Sequence, residues 1–233
     1  MLRFAIALLF ILVSGCAAQA PWEKIDAEQQ AAAYTNLGKG YLEQEQTTRA
    51  LQNFRKALKA RSSYSAALHG TALALQQQGE MELSEKYYKK ALQSKDHQTE
   101  IRNDYAAFLF NQNRYDEARK QLEKASEDIY YANRYLVFTN LGYVALKQNN
   151  TQQAATYFQQ ALGLEPDFMQ AHQALLDLRS KQQQWQQAER HWYFLRNARV
   201  HDEATLNKAL IVVQNTGNHK EERYIQNLLS NAN

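Results

Sequence analysis

Side chains that could perform chemistry are scattered along this 233-residue chain rather than gathered into a motif. The histidines lack the spacing of metal ligands, so we expect packing or surface roles for His69, His97, His172, His191, His201 and His219. Acid pairs such as Asp116-Glu117 fall in predicted helices, where a solvated face is their expected role. The sequence contains no glycine-rich phosphate loop and no nucleophile motif. It therefore predicts a protein that is not an enzyme and has no metal site or small-molecule substrate.

Cys16, the only cysteine, is the one side chain whose position indicates a chemical role. It follows a short cationic segment (residues 1–3), an apolar run (4–12) and a stretch that ends in small residues (13–15). The run could be a cleaved export signal, a membrane-spanning helix or a buried core helix. It is shorter than the ~20 residues that a membrane-spanning helix needs, and its dimensions are typical of a secretory signal.

The residues around Cys16 resemble the bacterial lipobox, in which small residues fit the signal peptidase and the cysteine thiol receives diacylglycerol. The resemblance implies diacylglyceryl and N-acyl groups on Cys16 as the covalent lipid, with no other cofactor. Several acyl chains hold a protein at a membrane, whereas one chain binds only reversibly. Ala17, rather than Asp, resembles the signal for sorting to the outer membrane. The alternative is an ordinary signal peptide followed by an incidental cysteine.

Composition excludes several classes of protein. The 27 Lys and Arg residues face 24 Asp and Glu residues, for a formal net charge of +3, and the charges are dispersed. Such a balance provides no electrostatic footprint for nucleic acid. A single cysteine excludes an internal disulfide and a cysteine-based zinc site. With only 2 prolines and 8 glycines, the composition favours helices joined by tight turns.

A period of about 34 residues runs through the rest of the chain. In the second half of each unit a small residue is followed four positions later by a large one, and three positions after that usually by Ala. The instances are Ala50/Phe54/Ala57, Ser84/Tyr88/Ala91, Ala118/Leu122/Ala125, Ala154/Phe158/Ala161 and, more weakly, Ala188/Trp192/Leu195. These spacings place the residues on one helical face, and units of this size must stack to bury that face. Two extra residues separate the third and fourth units, and we predict that they lie in a loop near Asp128–Ala132.

The first half of each unit carries a bulky residue followed by a small one. The pairs are Leu37-Gly38, Thr71-Ala72, Tyr105-Ala106 and Leu141-Gly142. We expect the small residues to let two antiparallel helices approach closely, and the bulky ones to fill the space between adjacent hairpins. The turn between paired helices has glycine only at Gly79 and Gly217. Asn113, Asn149 and Gln183 stand at that turn elsewhere, and of these Asn tolerates a left-handed backbone better than Gln does.

These units resemble the tetratricopeptide repeat (TPR), whose pattern is followed closely by residues 33–41 with Ala50, Phe54 and Ala57. The resemblance implies an all-α, right-handed superhelix of five clear repeats plus a degenerate sixth. We therefore divide the chain into a signal peptide (1–15), a lipidated cysteine with its tether (16–27) and a TPR domain (28–230).

TPR superhelices present the first helix of each unit on a concave face. In the register adopted here, one side of these helices is more apolar than a solvated face needs, and it carries Leu42, Leu73, Phe110, Tyr143 and Leu146. The same side includes His69 and Asn103, and in the fifth unit it becomes polar, with Gln173 and Asp177. We predict a groove that receives an amphipathic or extended segment of a partner. The alternative is that these residues pack against the superhelix itself or an end cap.

Three stretches go beyond the generic repeat, namely residues 103–109, 114–118 and 129–134. They resemble the type IV pilus biogenesis and stability lipoproteins, the PilF/PilW pilotin family, whose third repeat is followed by a tyrosine-containing inserted loop. Asp104 and Ala132 depart from the family pattern. Many members have cysteines where Phe110 and Val144 stand, so the disulfide that the family pattern implies is absent here.

The resemblance implies an outer-membrane lipoprotein facing the periplasm, which binds the pilus secretin and promotes its outer-membrane localisation and multimerisation. Membrane contact would be made through the lipid anchor. The alternative function is a general periplasmic TPR lipoprotein scaffold for β-barrel assembly or cell-wall enzymes.

Overall fold

The computed structural model describes residues 26–94, 97–200 and 202–231. The predicted signal peptide, Cys16 and nearly all of the tether lie outside these residues. Within them the chain forms helices that pair in chain order into six hairpins, one for each predicted repeat. The twelve helices are α1 (Ala27–Glu43), α2 (Thr47–Ala60), α3 (Ser65–Gln77), α4 (Met81–Ala91), α5 (Gln98–Asn111), α6 (Tyr115–Ser126), α7 (Arg134–Lys147), α8 (Thr151–Leu164), α9 (Met169–Lys181), α10 (Trp185–Asn197), α11 (Glu203–Thr216) and α12 (His219–Asn231).

The repeat signature forms the core of the stack. All of its small, large and final residues in the five clear units are at most 1% exposed. In the sixth unit Ile225 occupies the large position and is fully buried as well. Each second helix contacts both its own first helix and the first helix of the following unit. Burial of apolar surface is therefore continuous between units, and the prediction of an all-α TPR superhelix is confirmed.

The small residues of the first helices act as predicted, and so do the bulky ones, with the exception of Leu37. A Cβ atom added to Gly38 would lie 2.6 Å from Phe54 Cε1, so only glycine permits this approach of α1 and α2. Tyr105 of α5 stacks on Tyr88 of the preceding unit, with 5.3 Å between ring centroids. The corresponding residue of the first unit, Leu37, is 49% exposed because no described helix precedes α1.

The tight turns within the hairpins use left-handed backbone at one position of each unit. Gly79 and Gly217 have positive φ there, and so do Asn113, Asn149 and Gln183, as predicted. The turn of the first unit places Glu45 at φ 58°, and the connection between the fifth and sixth units has Arg199 at φ 58°. Packing on both sides of each turn imposes this conformation, even on residues that rarely adopt it.

The predicted insertion lies in the connection between α6 and α7, which spans residues 127–133. The loop is held at three points: Thr99 Oγ1 donates to Asp128 Oδ2 at 2.6 Å, the Tyr130 amide donates to Asp128 Oδ1 at 3.1 Å, and Arg134 Nε donates to the Ser126 carbonyl at 2.8 Å. Its tip is open, with Tyr130 90% exposed. An ordered base therefore presents an accessible aromatic ring.

Candidate partner-binding groove

The first helices of neighbouring units form the inner row of the stack. Helix α1 contacts α3, α5 contacts α7, and α9 contacts α11. Polar side chains join these helices as well: Asn140 Nδ2 of α7 donates to Asn103 Oδ1 of α5 at 2.9 Å. An array whose first helices touch in succession presents them on its concave side, where the sequence predicted a groove.

The five apolar residues predicted to line the groove lie in this inner row and are partly accessible. Leu42, Leu73, Phe110 and Leu146 are half-buried and rest against the apolar core, while Tyr143 is 37% exposed. Each side chain thus has one surface in the core and another outside it. These side chains therefore pack against the superhelix and are also partly accessible to a partner, so each of the two alternatives from the sequence holds in part.

Phe110 and Tyr143 come together around one cavity of about 180 Å³ between the third and fourth units. The ring of Phe110 packs edge-on against Tyr115, and that of Tyr143 packs edge-on against Phe158. Val144 lines the same cavity, so the two positions where the PilF/PilW pattern has cysteines face a common space. Leu42 and Leu73 lie outside this cavity.

Two residues assigned to the same side are buried instead. His69 is 3% exposed and Asn103 is 7% exposed, because the adjacent first helices cover them. The prediction that His69 and Asn103 lie on the accessible side of the groove was therefore wrong. In the fifth unit the polar side chains serve contacts within the array: Asp177 pairs with Lys208 of α11 at 3.0 Å, and Gln173 Nε2 donates to Thr205 Oγ1 at 3.2 Å.

An ion-pair network joins the second and third units. Arg114 makes a bidentate contact with Glu85 of α4, at 2.8 and 2.9 Å, and also binds Glu117. Tyr105 donates its hydroxyl to Glu85 at 2.9 Å. The Arg114 guanidinium, followed by Lys89 and Tyr105, lowers the pKa of Glu85 to about 2 in spite of partial burial. Arg114 begins one of the stretches that resemble the pilus proteins, and its observed role is to set one repeat against the next.

A pair of histidines lies at the interface between α9 and α10. His172 Nδ1 lies 3.0 Å from His191 Nδ1, and the His172 ring stacks on Phe194. Burial, together with the neighbouring His172, lowers the pKa of His191 to about 4. The packing role that the sequence predicted for His191 agrees with these contacts.

Sequence reasoning missed two features. A groove of about 720 Å³ on the second-helix side combines Leu51, Leu75 and Leu83 with the basic Arg55 and Lys59. The sequence contained an indication of this basic groove, because residues 47–61 carry basic charges and no acidic ones. The other feature is a cluster of His69, Glu100 and Asp104, whose ligand atoms lie within 4.8 Å of one another.

Within residues 26–94, 97–200 and 202–231, no helix combines the length and apolar character that crossing a bilayer requires. The described part of the chain is a stack of hairpins with an accessible, partly apolar inner row. Such a molecule is a TPR scaffold, the class of protein that mediates protein–protein contacts.

Comparison with known proteins agrees with the assignment to the TPR scaffolds and indicates a particular family of them. Tetratricopeptide repeat family models match residues 35–99, 75–130 and 136–168. The type IV pilus assembly protein PilF of Pseudomonas aeruginosa is 34% identical over 193 residues, covering 80% of this chain and 77% of the relative. An uncharacterised protein of Haemophilus influenzae is 27% identical over 161 residues, which cover 67% of this chain and 89% of the relative.

Solved structures give the same result. The structure of P. aeruginosa PilF matches with a TM-score of 0.83 and 28% identity, covering 88% of this chain and 93% of that one. PilW, a type IV pilus biogenesis factor, shares the fold with a TM-score of 0.76 and 23% identity, over 86% and 92% of the two chains. The chain therefore belongs to the PilF/PilW family of type IV pilus biogenesis TPR proteins.

Proposed function

We propose that this protein is an outer-membrane lipoprotein adaptor, a pilotin, that binds the pilus secretin and promotes its localisation and multimerisation in that membrane. Membership of the pilus biogenesis family supports the setting. The observation that carries the binding role is the inner row of half-accessible apolar side chains, with Phe110 and Tyr143 at one cavity. As an adaptor, the protein holds a client and turns over no substrate.

The inner row suits an amphipathic or extended segment of the secretin. Aromatic side chains that are anchored on one edge lose little conformational freedom on binding, which is why they dominate the energetics of many interfaces. Phe110 is anchored by Tyr115 and Tyr143 by Phe158. Their free surfaces offer apolar contacts, while Asn140 at the same cavity offers a polar one.

In this proposal Cys16 supplies the localisation. Diacylglyceryl and N-acyl groups on Cys16 hold the chain on the periplasmic face of the outer membrane, and residues 16–27 tether the TPR domain to it. Joining the anchor and the groove in one chain raises the effective concentration of the bound client at the membrane without new contacts.

Substitution of the groove tests recognition. We expect Leu73→Asp with Phe110→Asp to abolish recovery of the secretin from detergent-solubilised envelopes, because a charge would have to be desolvated in an apolar contact. Leu164→Asp is the matched control, since Leu164 is 47% exposed at the end of α8, a second helix that lies outside the inner row. Circular dichroism establishes that each variant is folded. Undiminished capture by the folded double variant would refute the groove, and recovery of barrel-assembly factors or cell-wall hydrolases instead of secretin would favour the general scaffold.

Substitution of Cys16 tests the anchor separately. We expect Cys16→Ser, in cells lacking the wild-type gene, to leave the groove competent for capture in extracts while failing to restore twitching motility. Membrane fractionation should show the wild type in the outer membrane and the variant released from it. A variant that stays in the outer membrane and restores motility would show that lipidation of Cys16 is dispensable.

A further inference from the structure

We propose that His69, Glu100 and Asp104 form a binding site for one divalent transition-metal ion, of which Zn²⁺ is the representative, between the second and third repeats. His69 lies on α3, and the two acids lie one turn apart on α5. The potential ligand atoms of all three are within 4.8 Å of one another. This site is independent of the proposed secretin binding.

The histidine is the strongest evidence for a ligand. His69 is 3% exposed, and its Nε2 atom is buried without a hydrogen-bond partner. That nitrogen lies 3.0 Å from Asp104 Oδ2, yet the contact lacks the geometry of a hydrogen bond. Buried polar atoms in folded proteins almost always have a partner, since an unpaired one is unfavourable. A metal ion between the nitrogen and the carboxylate would provide that partner.

The separation of these atoms fits coordination chemistry. Two ligands that bind one Zn²⁺ at about 2.1 Å each lie about 3.0–3.4 Å apart, depending on the angle at the metal. His69 Nε2 and Asp104 Oδ2 already have such a separation. Glu100 is half-buried and within reach, so that rotation of its side chain would bring in the third ligand.

The donor set selects the class of metal. An imidazole nitrogen with two carboxylates suits zinc and its first-row neighbours, whereas Mg²⁺ and Ca²⁺ prefer oxygen ligands alone. Two carboxylates also neutralise the charge of a divalent ion, and they outweigh the single positive charge of Lys39 on the wall of the adjoining cavity.

Neighbouring residues support the ligands. Asn103 Nδ2 donates to Asp104 Oδ1 at 3.3 Å, and Asn103 Oδ1 in turn accepts from Asn140 of α7 at 2.9 Å. Hydrogen bonds of this kind orient metal-binding carboxylates. A chain of contacts from α7 therefore holds Asp104 in place.

The site has a route for entry and an open side. A cavity of about 230 Å³ is lined by both His69 and Glu100 and is bordered by Asn36, Lys39 and His97. Three protein ligands leave a fourth position of zinc for water or for a donor from a bound partner. The ion would thus lie on the inner row, where it joins two repeats and faces the space that a partner would enter.

Direct binding measurements test the site on the untagged chain after treatment with a chelator. We expect isothermal titration with ZnCl₂ to show one ion per wild-type chain and a rise in the midpoint of thermal unfolding. Asp104→Asn and Glu100→Gln keep the size of each side chain and should weaken binding. Loss of even an outer ligand contact costs about 10–100-fold in affinity, so we expect at least that loss here. His69→Ala should behave alike, and the two acid variants decide the matter if it fails to fold.

Two histidine variants are matched controls. The ring of His219 is exposed on α12 and lies 3.4 Å from Glu222. His172 pairs with His191 and lies outside the proposed metal site. His219→Ala and His172→Ala should bind Zn²⁺ as the wild type does. The proposal is overturned if the wild type does not bind Zn²⁺, if both folded acid variants bind undiminished, if His172→Ala abolishes binding, or if Mg²⁺ competes at equal concentration.

Discussion

The Cα of Gly142 faces the ring of Phe158 so closely that a methyl group on Gly142 would lie 2.5 Å from Phe158 Cε1. This contact lets α7 and α8 approach each other in the fourth unit, as Gly38 and Phe54 do for α1 and α2. We expect Gly142→Ala to destabilise the protein by about 1–2 kcal/mol, because forced repacking of a full core outweighs the higher helix propensity of Ala.

Urea unfolding checks this prediction, and Gly163→Ala is its control. Gly163 lies in α8 with no atom within 4 Å of an added Cβ. The same substitution there should stabilise by up to about 1 kcal/mol through helix propensity alone. Equal effects at the two positions would show that Phe158 does not restrict Gly142.

The Arg114–Glu85 pair should stabilise the protein in a pH-dependent way. The folded-state pKa of Glu85 is about 2, below its usual 4.5, so its contribution is complete above pH 4.5 and falls as the pH decreases towards 2. A shift of this size corresponds to roughly 3–4 kcal/mol at neutral pH, and solvent screening of this partly exposed pair reduces the contribution to about 2–3 kcal/mol. We expect Glu85→Gln to lose that stability at pH 7 and to differ less from the wild type at pH 3, as measured by urea unfolding at both values. A difference that is independent of pH would contradict the ion pair as the cause.

His191 should make the fifth repeat sensitive to acid. Its pKa falls to about 4 in the folded chain from 6.5, because burial and the neighbouring His172, Arg179 and Arg190 disfavour its charged form. The unfolded chain therefore binds a proton between pH 6.5 and 4 that the folded chain does not, and stability decreases as the pH falls through this range. We expect the free energy of unfolding to decrease by about 3 kcal/mol over this range.

Thermal unfolding between pH 7 and 4 checks this effect, with His191→Leu as the comparison. The variant lacks the titrating group, so its midpoint should fall less steeply than that of the wild type over the same range. Glu85 contributes in both proteins and cancels in the difference. Parallel curves for the two proteins would contradict the assignment to His191.

Glu221 should secure the last hairpin to the fifth repeat. It is 5% exposed, accepts a hydrogen bond from Trp192 Nε1 at 3.0 Å and lies 3.3 Å from Arg196 Nε. Glu221→Leu leaves the buried indole N–H without a partner, which costs about 1–3 kcal/mol. Glu221→Gln keeps an acceptor and should lose less, and chemical unfolding of both variants compares them. A Leu variant as stable as the Gln variant would show that the hydrogen bond contributes nothing.

Much of the fold could be predicted from the sequence because each repeat is specified locally. Small and large residues at helical spacing define which face is buried, and that face is buried in every unit from Ala50 to Leu195. The loop insertion near Asp128 and the left-handed turns at Asn113 and Asn149 were predictable for the same reason. At Glu45 the sequence carried no signal, because the packing of two helices imposes a turn that Glu itself does not favour.

The groove was predicted only in part. A helical register identifies which side of a first helix faces away from its own hairpin, and Phe110 and Tyr143, both assigned to that side, line one cavity in the structure. It does not show how closely the next first helix approaches. That distance buries His69 and Asn103 and leaves Tyr143 accessible.

The sequence by itself determined that the fold is all-α, the length and boundaries of the repeat, and the apolar side of each unit. These features depend on residues that are close along the chain. The tertiary structure decided which side chains meet across units: His69 with Asp104, Glu85 with Arg114, and Trp192 with Glu221. These partners are many residues apart, and their separation depends on the rise and rotation between successive hairpins. A periodic pattern reveals that units stack, but only their packed geometry determines which polar groups share a site.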